Sequence, residues 1–440
     1  MRTGIVAFLV FWMVGYASAA TLHVANNGTD SGGCGLTAPC RTISQAITNA
    51  SAGDTIMVGP GRYGDLNGDG MFVAADGDEA SGSATNMIVI NKKLTLISSA
   101  GAAATVLDNP TCSSGVTTLV SIQANGVKLG AKGKGFTMQT AGCGGMTGLS
   151  VDTATSAVVV GGNRFRIYGT AGTVNGTGHT VQNNLISGYG GTTSYLIMGG
   201  GPHMVKNNTG ENGGLATAAG STNITLKGNR MLGVWSGVGF DLQGSGHVVK
   251  ANVASGVPYY SCSAGYSCHG DCGSSAGLTL TANVAEGPCT YGFDVSSGTG
   301  HVFTGNLAAS NSYGFSFDSP MAVTLKGNEA SGNSAYGIFF SSGVTPVVTK
   351  NSVIGNVSYG IYSTTVNGHI SMNNIYGNDP TTNCGIYLGT SGTLAADQNY
   401  WGKAGGPGAD PADAACAAVG TINASAPSAV EFPVAVPRFP

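Results

Sequence analysis

An asparagine that recurs at nearly regular intervals constrains the fold of this 440-residue chain more than any other feature. The intervals are 21 to 25 residues, apart from one of 31. A short strand pattern precedes the asparagine, as in ITLKGN (224–229), and a second strand pattern starts at a glycine after it, as in YGFSF (313–317). This period, with two or three short strands and no helical pattern, predicts a coil that adds one rung per turn. The anchor asparagines are Asn163, Asn184, Asn208, Asn229, Asn252, Asn283, Asn306, Asn328, Asn351, Asn374 and Asn399.

The corners of such a coil explain the choice of residue. Gly and Asn tolerate left-handed backbone angles, and stacked Asn side chains can hydrogen-bond from rung to rung. Each rung rises by about 4.8 Å, the spacing of strands in a sheet. Leucine-rich and propeller repeats fit less well, because their leucine spacing and Trp-Asp signature are missing.

Together these residues resemble the pectin-lyase-like superfamily of secreted bacterial proteins. Residues 23–63 look like its N-terminal cap and first rung, with an amphipathic helix from Thr42 to Ala50 closing the coil, and NYWGKAGGPG (399–408) looks like its terminal segment. The resemblance implies an all-β chain, a single-stranded right-handed parallel β-helix with an N-terminal capping helix. It implies no single function, because the superfamily includes lyases, hydrolases, epimerases, adhesins and non-catalytic binding domains.

The N-terminus predicts an export signal, with Arg2, an apolar run at 5–14 and the small residues Ala17-Ser18-Ala19. No other apolar stretch approaches the roughly 20 residues that cross a bilayer. We therefore expect a monomer without a membrane span that is secreted, periplasmic or on the cell surface. The predicted divisions are 1–20 signal peptide, 21–70 cap and first rung, 71–410 β-helix repeats, and 411–440 C-terminal tail.

Ten cysteines in an exported chain predict disulfides. Four of them form a cluster whose pairing the sequence leaves open, and whose composition also suits a metal site. An oxidising compartment favours disulfides over thiolate ligands. The pairs predicted from spacing and order are Cys34 with Cys40, Cys112 with Cys143, and Cys384 with Cys416; the cluster is Cys262, Cys268, Cys272 and Cys289.

The charge balance excludes a nucleic-acid partner steered by phosphate attraction. Only 9% of residues are charged, and the net charge is −3. Because 42% of residues are hydrophobic, the chain is also able to bury a large core and is not expected to be disordered.

Outward columns of side chains are the candidate binding surface. Counting from the strand glycine, residues one and three positions on are apolar and predicted to be buried, so those two and four positions on should face outward. The two-position column holds Asp294, Ser316, Phe339, Tyr362 and Tyr387. Its aromatic residues predict a platform for stacking sugar rings. Alternatively, they are common strand residues covered by a loop or by the C-terminal tail.

Three carboxylates, Asp241, Asp294 and Asp318, are candidate catalytic residues, with Asp241 and Asp318 assigned to the four-position column. Carboxylates one or two rungs apart suit calcium binding or general acid and base catalysis, although aspartate is also common where strands end. The insertion at 258–272 lies between their rungs and could wall a cleft. Its candidate substrate-binding residues are Tyr259, Tyr260 and His269.

The loop DLNGDGMFVAAD (65–76) resembles a calcium-binding loop. Asp65, Asn67 and Asp69 alternate, Gly70 permits a sharp turn, and the twelfth position is Asp76 rather than Glu. Calcium is therefore the one expected cofactor, with a solvated acidic loop as the alternative.

Two further columns carry titratable groups. Five histidines, each five residues before an anchor, suggest a metal ladder, but Ile224 and Val323 share their column, so packing is favoured. Four lysines two residues before an anchor should face solvent. These residues are His179, His203, His247, His301 and His369, and Lys206, Lys227, Lys250 and Lys326.

These observations favour a secreted protein that binds, and potentially cleaves, a polysaccharide or cell-surface glycan on an outward strand face. An enzyme of this kind would be a polysaccharide lyase or a glycoside hydrolase, but no active-site motif of the superfamily is complete here. Alginate epimerases and related enzymes show Asp-Pro-His, for example, whereas Asp294 is followed by Val295. The alternative is a non-catalytic surface, adhesive or structural protein.

Overall fold

The structure is a computed structural model that describes residues 18–30, 32–111, 115–140, 142, 144–188, 194–235, 237–257, 262–273 and 275–438. The predicted signal peptide up to residue 17, Cys112, Cys143, Tyr259 and Tyr260 lie outside the described residues. Within those ranges, every pair of neighbouring strands is parallel, and three sheets run the length of the chain. Along the sequence, the chain passes from a strand of one sheet to a strand of the second and then of the third, and this order repeats. The chain therefore winds as a parallel β-helix.

The three sheets contain 16, 13 and 14 strands among the described residues, and we number them in that order. Sheet 1 consists of Thr21–Val24, Thr55–Val58, Thr95–Ser98, Lys128–Leu129, Val159–Gly161, Thr180–Gln182, Met204–Lys206, Thr225–Lys227, Val248–Lys250, Thr279–Thr281, His301–Thr304, Ala322–Lys326, Thr345–Thr349, His369–Ser371, Thr393–Ala395 and Thr421–Asn423.

Sheets 2 and 3 complete each turn. Sheet 2 consists of Gly61–Gly64, Thr105–Asn109, Thr137–Thr140, Arg164–Arg166, Leu185–Ser187, Thr209–Glu211, Arg230–Val234, Val253–Gly256, Val284–Glu286, Leu307–Ala309, Glu329–Ser331, Ser352–Ile354 and Asn374–Tyr376. Sheet 3 consists of Asn86–Ile90, Thr118–Ile122, Met146–Val151, Gly169–Val174, Ser194–Met198, Gly213–Thr217, Gly237–Asp241, Cys262–Cys268, Cys289–Val295, Tyr313–Phe317, Tyr336–Phe340, Tyr359–Ser363, Cys384–Leu388 and Ala414–Ala417.

Helical structure in the described residues is limited to an α-helix at Ile43–Asn49 and a 3₁₀ turn at Ala74–Asp76. Thr42 caps the α-helix by accepting a hydrogen bond from the Gln45 amide. The buried carboxylate of Glu79 accepts the amides of Ile43 and Ser44 at 2.7 and 2.9 Å, where the helix N-terminus favours negative charge. The helix is therefore fixed to the coil, while its role as a cap stays a prediction.

The anchor asparagines form a continuous buried ladder at the corner between sheets 1 and 2. The Nδ2 of each donates to the Oδ1 of the next at 2.9 to 3.3 Å, and the backbone amide of each bonds the same oxygen. One predicted anchor was wrong: Asn373, not Asn374, continues the ladder from Asn351 to Asn399. Asn374 instead bonds the backbone of Phe432 in the C-terminal segment.

The left-handed backbone angle falls on the residue before each anchor rather than on the anchor itself. Gly228 and Gly327 have φ of 65° and 66°, and Ala251 and Lys350 adopt 52° and 57° at the equivalent position. Left-handed angles cost a non-glycine residue roughly 1–2 kcal/mol. The anchors are therefore asparagine because of the ladder hydrogen bonds, which pair the amide groups inside a buried corner.

A second polar ladder, which the sequence analysis missed, lines the corner between sheets 2 and 3. The backbone amides of Asn311, Asn333 and Asn356 each bond the side-chain oxygen of the asparagine one rung on. The ladder ends at Asp413, whose Oδ2 accepts from Asn378 at 2.7 Å. Burial raises the pKa of the Asp413 carboxyl to about 6.

Histidines line part of the third corner. His179, His203, His247 and His301 are buried, each accepts a backbone amide of the previous rung through Nδ1, and Nε2 lies 2.6 to 3.0 Å from the carbonyl four residues earlier. This confirms packing rather than a metal ladder for those four. His369 differs, because the register shift to Asn373 turns it outward, where it pairs with Asp397 at 2.7 Å.

The interior of the coil is filled by apolar columns. The predicted inward residues Phe293, Phe315 and Phe340 are fully buried. Phe240, Tyr266, Phe293 and Phe315 stack along the axis with ring centroids 4.7 to 4.8 Å apart, which is the spacing of the rungs. This match between ring stacking and strand spacing lets one aromatic column run through four successive turns.

The final segment of the chain returns to the coil. Strands Ala414–Ala417 and Thr421–Asn423 pair with sheets 3 and 1, so the coil extends past residue 410. Arg438 then forms a two-pronged ion pair with Glu329, at 2.9 and 2.7 Å, on sheet 2. The segment therefore contacts sheet 2 and leaves the aromatic residues of sheet 3 uncovered by these contacts. The other predicted divisions stay predictions.

Replacing Phe315 with Ala should lower the free energy of unfolding by about 3–5 kcal/mol, because the aromatic column loses a ring and gains a cavity. Val347→Ala is the matched control, since Val347 is 47% exposed on sheet 1 and its loss should cost under about 0.5 kcal/mol. Urea unfolding followed by circular dichroism measures both. Equal stability of the two variants would contradict the inward assignment.

Acidification should destabilise the histidine corner. Burial lowers the pKa of His179 to about 4, whereas the unfolded imidazole takes up a proton near pH 6.5, so protons favour the unfolded state between these values. Between about pH 7 and about pH 4.5, wild type should lose roughly 3 kcal/mol more than His179→Gln. Urea unfolding at both pH values tests this, and identical losses in the two proteins would show that His179 is not buried in its neutral form.

Candidate functional site

The outward face of sheet 3 carries the predicted site residues in one register. Asp241, Ser267, Asp294 and Ser316 align on successive rungs, and the column continues through Phe339, Tyr362 and Tyr387. Asp241 therefore belongs to the two-position column, and its assignment to the four-position column was wrong. The four-position assignment counts from Gly237, whereas the register aligns Gly239 with Gly292, and Asp241 lies two residues after Gly239.

His269 links the two outward columns at this point. Its Nε2 lies 2.9 Å from Asp294 Oδ2, and its Nδ1 is hydrogen-bonded to the hydroxyl of Ser296 on the next rung. The Asp294 carboxylate is buried, and its Oδ1 has no hydrogen-bond partner in the described part of the chain. Burial raises the pKa of Asp294, and the neighbouring His269 opposes that rise.

Disulfides hold His269 in place. Cys268, the residue before it, is bonded to Cys272, and Cys262 at the start of the same strand is bonded to Cys289 on the next rung. The open pairing of the cysteine cluster is thereby resolved as two disulfides rather than a metal site. The pairs Cys34–Cys40 and Cys384–Cys416 are confirmed, while Cys112–Cys143 lies outside the described residues.

The other two carboxylates lie farther along the coil. Asp241 is two rungs from Asp294, which is about 10 Å at the usual strand spacing, and burial raises its pKa. Asp318 is exposed on the rung after Asp294, and its Oδ2 accepts from the Ser316 hydroxyl at 3.2 Å. Paired carboxyls in glycoside hydrolases are roughly 5–9.5 Å apart. Asp294 and Asp318 lie on adjacent rungs and are therefore closer in register than Asp241 and Asp294.

Seven half-buried aromatic residues form a stripe along the same face, and we call them the aromatic stripe. Phe339, Tyr362 and Tyr387 were predicted, but the tyrosines before four of the five strand glycines also belong to it. The repeated Tyr-Gly pair is the sequence signal for these four residues. The stripe consists of Tyr291, Tyr313, Tyr336, Phe339, Tyr359, Tyr362 and Tyr387.

Most rings of the stripe stack on one another rather than lying flat on the sheet. Tyr362 stacks on Phe339 at 5.7 Å and on Tyr387 at 5.4 Å, with interplanar angles of 11° and 13°. Tyr336 also stacks on Tyr362, at 5.0 Å. Ring faces are therefore used between rungs, and the stripe offers ring edges and hydroxyls to a ligand. Burial raises the pKa of Tyr336 and Tyr359, so those hydroxyls stay protonated.

The predicted calcium loop is closed by its own hydrogen bonds. The Asp65 side chain is buried and accepts the amides of Gly68 and Gly70 at 2.7 and 2.9 Å. Asp69 bonds the amide of Met71, and Asp76 is exposed in the 3₁₀ turn. No three His, Cys, Asp or Glu side chains form a metal-binding group among the described residues. Calcium binding through Asn67 and these carboxylates stays a prediction.

Comparison with known proteins gives one partial family match. Residues 265–402 match the model of the family described as periplasmic copper-binding protein (NosD), and this range contains His269, Asp294 and the aromatic stripe. None of the curated proteins matches the chain. Four disulfides among the described residues are typical of a chain that folds in an oxidising compartment. None of the helices in those ranges has the length or apolarity to cross a bilayer.

Solved structures with a similar backbone include three proteins of different activity. The mannuronan C-5 epimerase AlgE6 A-module of Azotobacter vinelandii is 14% identical, with 88% of this chain and 93% of that chain covered and a TM-score of 0.38. Pectate lyase Pel9A is 15% identical over 94% and 80%, with a TM-score of 0.33. The GH136 lacto-N-biosidase of Eubacterium ramulus is 7% identical over 94% and 68%, with a TM-score of 0.32. With its three parallel sheets, the chain has a parallel β-helix fold.

Proposed function

We propose that this protein binds a polysaccharide along the aromatic stripe on sheet 3, in the periplasm or outside the cell. The observation that carries the proposal is the stripe itself. Its rings follow one another over five rungs, about 19 Å at the usual rung spacing, and none is fully buried. A linear binding surface of this length suits an extended polymer lying parallel to the coil axis.

The chemistry of the stripe suits sugars. Tyrosine offers an apolar ring and a hydroxyl, and a sugar offers C–H groups and hydroxyls, so each can meet its counterpart. Because the rings stack on one another, we revise the expected contact from ring faces to ring edges and phenolic hydroxyls. An aromatic row of this extent on a protein surface is typical of a binding site.

Two carboxylates make one end of the aromatic stripe acidic. Asp294 and Asp318 lie on the rungs of Tyr291 and Tyr313, whereas no lysine or arginine lies in the outward columns of these strands. A neutral polysaccharide avoids charge repulsion at this end, so we favour it over a polyuronate. Calcium bound to these carboxylates would reverse that preference, which is why calcium enters the test below.

The alternative is a structural or adhesive protein in which the stripe only strengthens the coil. Stacked cross-strand aromatics stabilise neighbouring strands by about 0.2–1 kcal/mol per pair, so the rows would serve a rod as well as a ligand. The two functions differ in one respect: the structural role needs the rings, whereas binding also needs the hydroxyls at the surface.

Binding should be measured by affinity electrophoresis of the mature protein in neutral and uronic-acid polysaccharides, with Ca²⁺ and with a chelator. Tyr362→Ala should weaken binding about tenfold, which corresponds to about 1.4 kcal/mol. Tyr362→Phe should keep the stack but lose part of the affinity. Tyr376→Ala on sheet 2 is the matched control and should bind like wild type.

Each outcome decides between the two functions. Affinity that falls in Tyr362→Ala and not in Tyr376→Ala supports the stripe as the binding surface. The opposite outcome is a protein with a native circular-dichroism spectrum that migrates in every polysaccharide gel as it does in a gel without polysaccharide. That result would overturn the proposal in favour of the structural rod. Release of shorter products in the same mixtures would extend the function from binding to cleavage.

A further inference from the structure

We infer that Ser296, His269 and Asp294 form a nucleophile, base and carboxylate relay that hydrolyses a neutral acyl ester. This goes beyond polysaccharide binding, because it concerns a different bond and a different set of residues. Ser296 is not a candidate from the sequence alone, because it lies 27 positions after His269 and meets it only through the winding of the coil.

The three side chains are connected in the order that acyl transfer needs. Nε2 of His269 lies 2.9 Å from Asp294 Oδ2, and Nδ1 is hydrogen-bonded to the Ser296 hydroxyl. When Nε2 carries the proton and donates it to the carboxylate, Nδ1 has a free lone pair that accepts the serine proton. The contacts with the two ring nitrogens are thus mutually consistent with one neutral tautomer.

Burial and exposure are also distributed as the reaction needs. The Asp294 side chain is 9% exposed, whereas that of His269 is 47% exposed, so the carboxylate is shielded while the imidazole is open to solvent. Asp294 Oδ1 has no hydrogen-bond partner in the described part of the chain. The hydrogen bond between His269 and Oδ2 is therefore the contact that offsets the negative charge of the carboxylate. Asp294 is therefore a positioning residue that holds the tautomer and stabilises the imidazolium, and Ser296 and His269 are the catalytic residues.

The reaction balances without a further reagent. Ser296 Oγ attacks the ester carbonyl carbon while its proton moves to His269 Nδ1, and the C–O bond to the alcohol then breaks as His269 returns that proton to the leaving oxygen. Water next attacks the acyl-serine and gives a proton to His269, which passes it back to Ser296 Oγ. The products are one alcohol and one carboxylic acid.

The surrounding charges define the substrate class. Asp241 and Asp318 flank the relay along the coil, on the rung two before Asp294 and on the rung after it. The described strands of sheet 3 from Gly237 to Phe317 contain no lysine or arginine that could hold an acidic group. The acyl group and its alcohol are therefore uncharged, as in an acetylated sugar hydroxyl. The stripe begins on the same rungs, so a bound polymer would bring such esters to Ser296.

The test uses covalent labelling of the full mature protein with diisopropyl fluorophosphate, followed by peptide mass spectrometry. Wild type should carry the phosphoryl adduct on Ser296, and hydrolysis of p-nitrophenyl acetate should fall about 100-fold in Ser296→Ala and in His269→Gln. Ser341→Ala is the matched control, since Ser341 holds the equivalent position two rungs on without a histidine partner, and it should behave like wild type.

The positioning role of Asp294 requires a measurement that reports on the His269 tautomer and not merely on loss of structure. In Asp294→Asn the amide can donate to Nε2, which shifts the His269 proton to Nδ1 and removes the acceptor for Ser296. The ¹⁵N chemical shifts of the His269 ring should report this change of tautomer, with a native circular-dichroism spectrum and loss of the Ser296 adduct. Asp294→Glu should restore part of the labelling.

A folded wild-type protein with no adduct on Ser296, or with an adduct that persists in His269→Gln, would overturn the inference. The probes are small esters, so their result does not depend on glycan binding. Conversely, Ser296→Ala should retain wild-type affinity for polysaccharide, which separates failure of this inference from failure of the proposed function.

Discussion

The hydrogen bond that passes from one asparagine side chain to the next is the interaction on which the rest of the structure depends. A coil of short parallel strands turns a corner three times per rung, and each turn interrupts backbone pairing at buried positions. Buried amides left unpaired cost about 1–3 kcal/mol each. The ladder from Asn163 to Asn399 serves the first corner, the shorter ladder that ends at Asp413 serves part of the second, and four buried histidines serve part of the third. These bonds hold the strands of those rungs in register.

This register turns a sequence period into columns, and the columns create the site. Residues about 23 positions apart become neighbours at the spacing of strands, so a repeated Tyr-Gly becomes a row of stacked rings. The single long interval, of 31 residues, interrupts this regular repeat. It lengthens one rung by a disulfide-braced turn after Cys268, which brings His269 within hydrogen-bond distance of Asp294 and Ser296. The repeat supplies the binding surface, and its one irregularity supplies the reactive groups.

The asparagine period and the alternation of apolar residues were sufficient to predict the coil, the inward phenylalanines and the outward aromatic column. The register of single residues was not predictable in the same way. Asn373 and Asn374 both fit the period, and only the ladder hydrogen bonds select Asn373, which in turn exposes His369. Asp241 was misplaced because Gly237 and Gly239 both fit the strand pattern, and the register selects Gly239. The contact between Ser296 and His269 could not be predicted, because it depends on a turn fixed by a disulfide.

The central claim is that the outward face of sheet 3 is the functional face. Hydrogen–deuterium exchange with and without a saturating polysaccharide tests it most directly, because peptides from all three sheets are compared in one experiment. The account predicts protection confined to peptides around 291, 313, 336 and 359–362, with the lysine-bearing strands of sheet 1 unchanged. Protection on sheet 1, centred on Lys227 and Lys250, would contradict it and assign the binding function to the opposite columns.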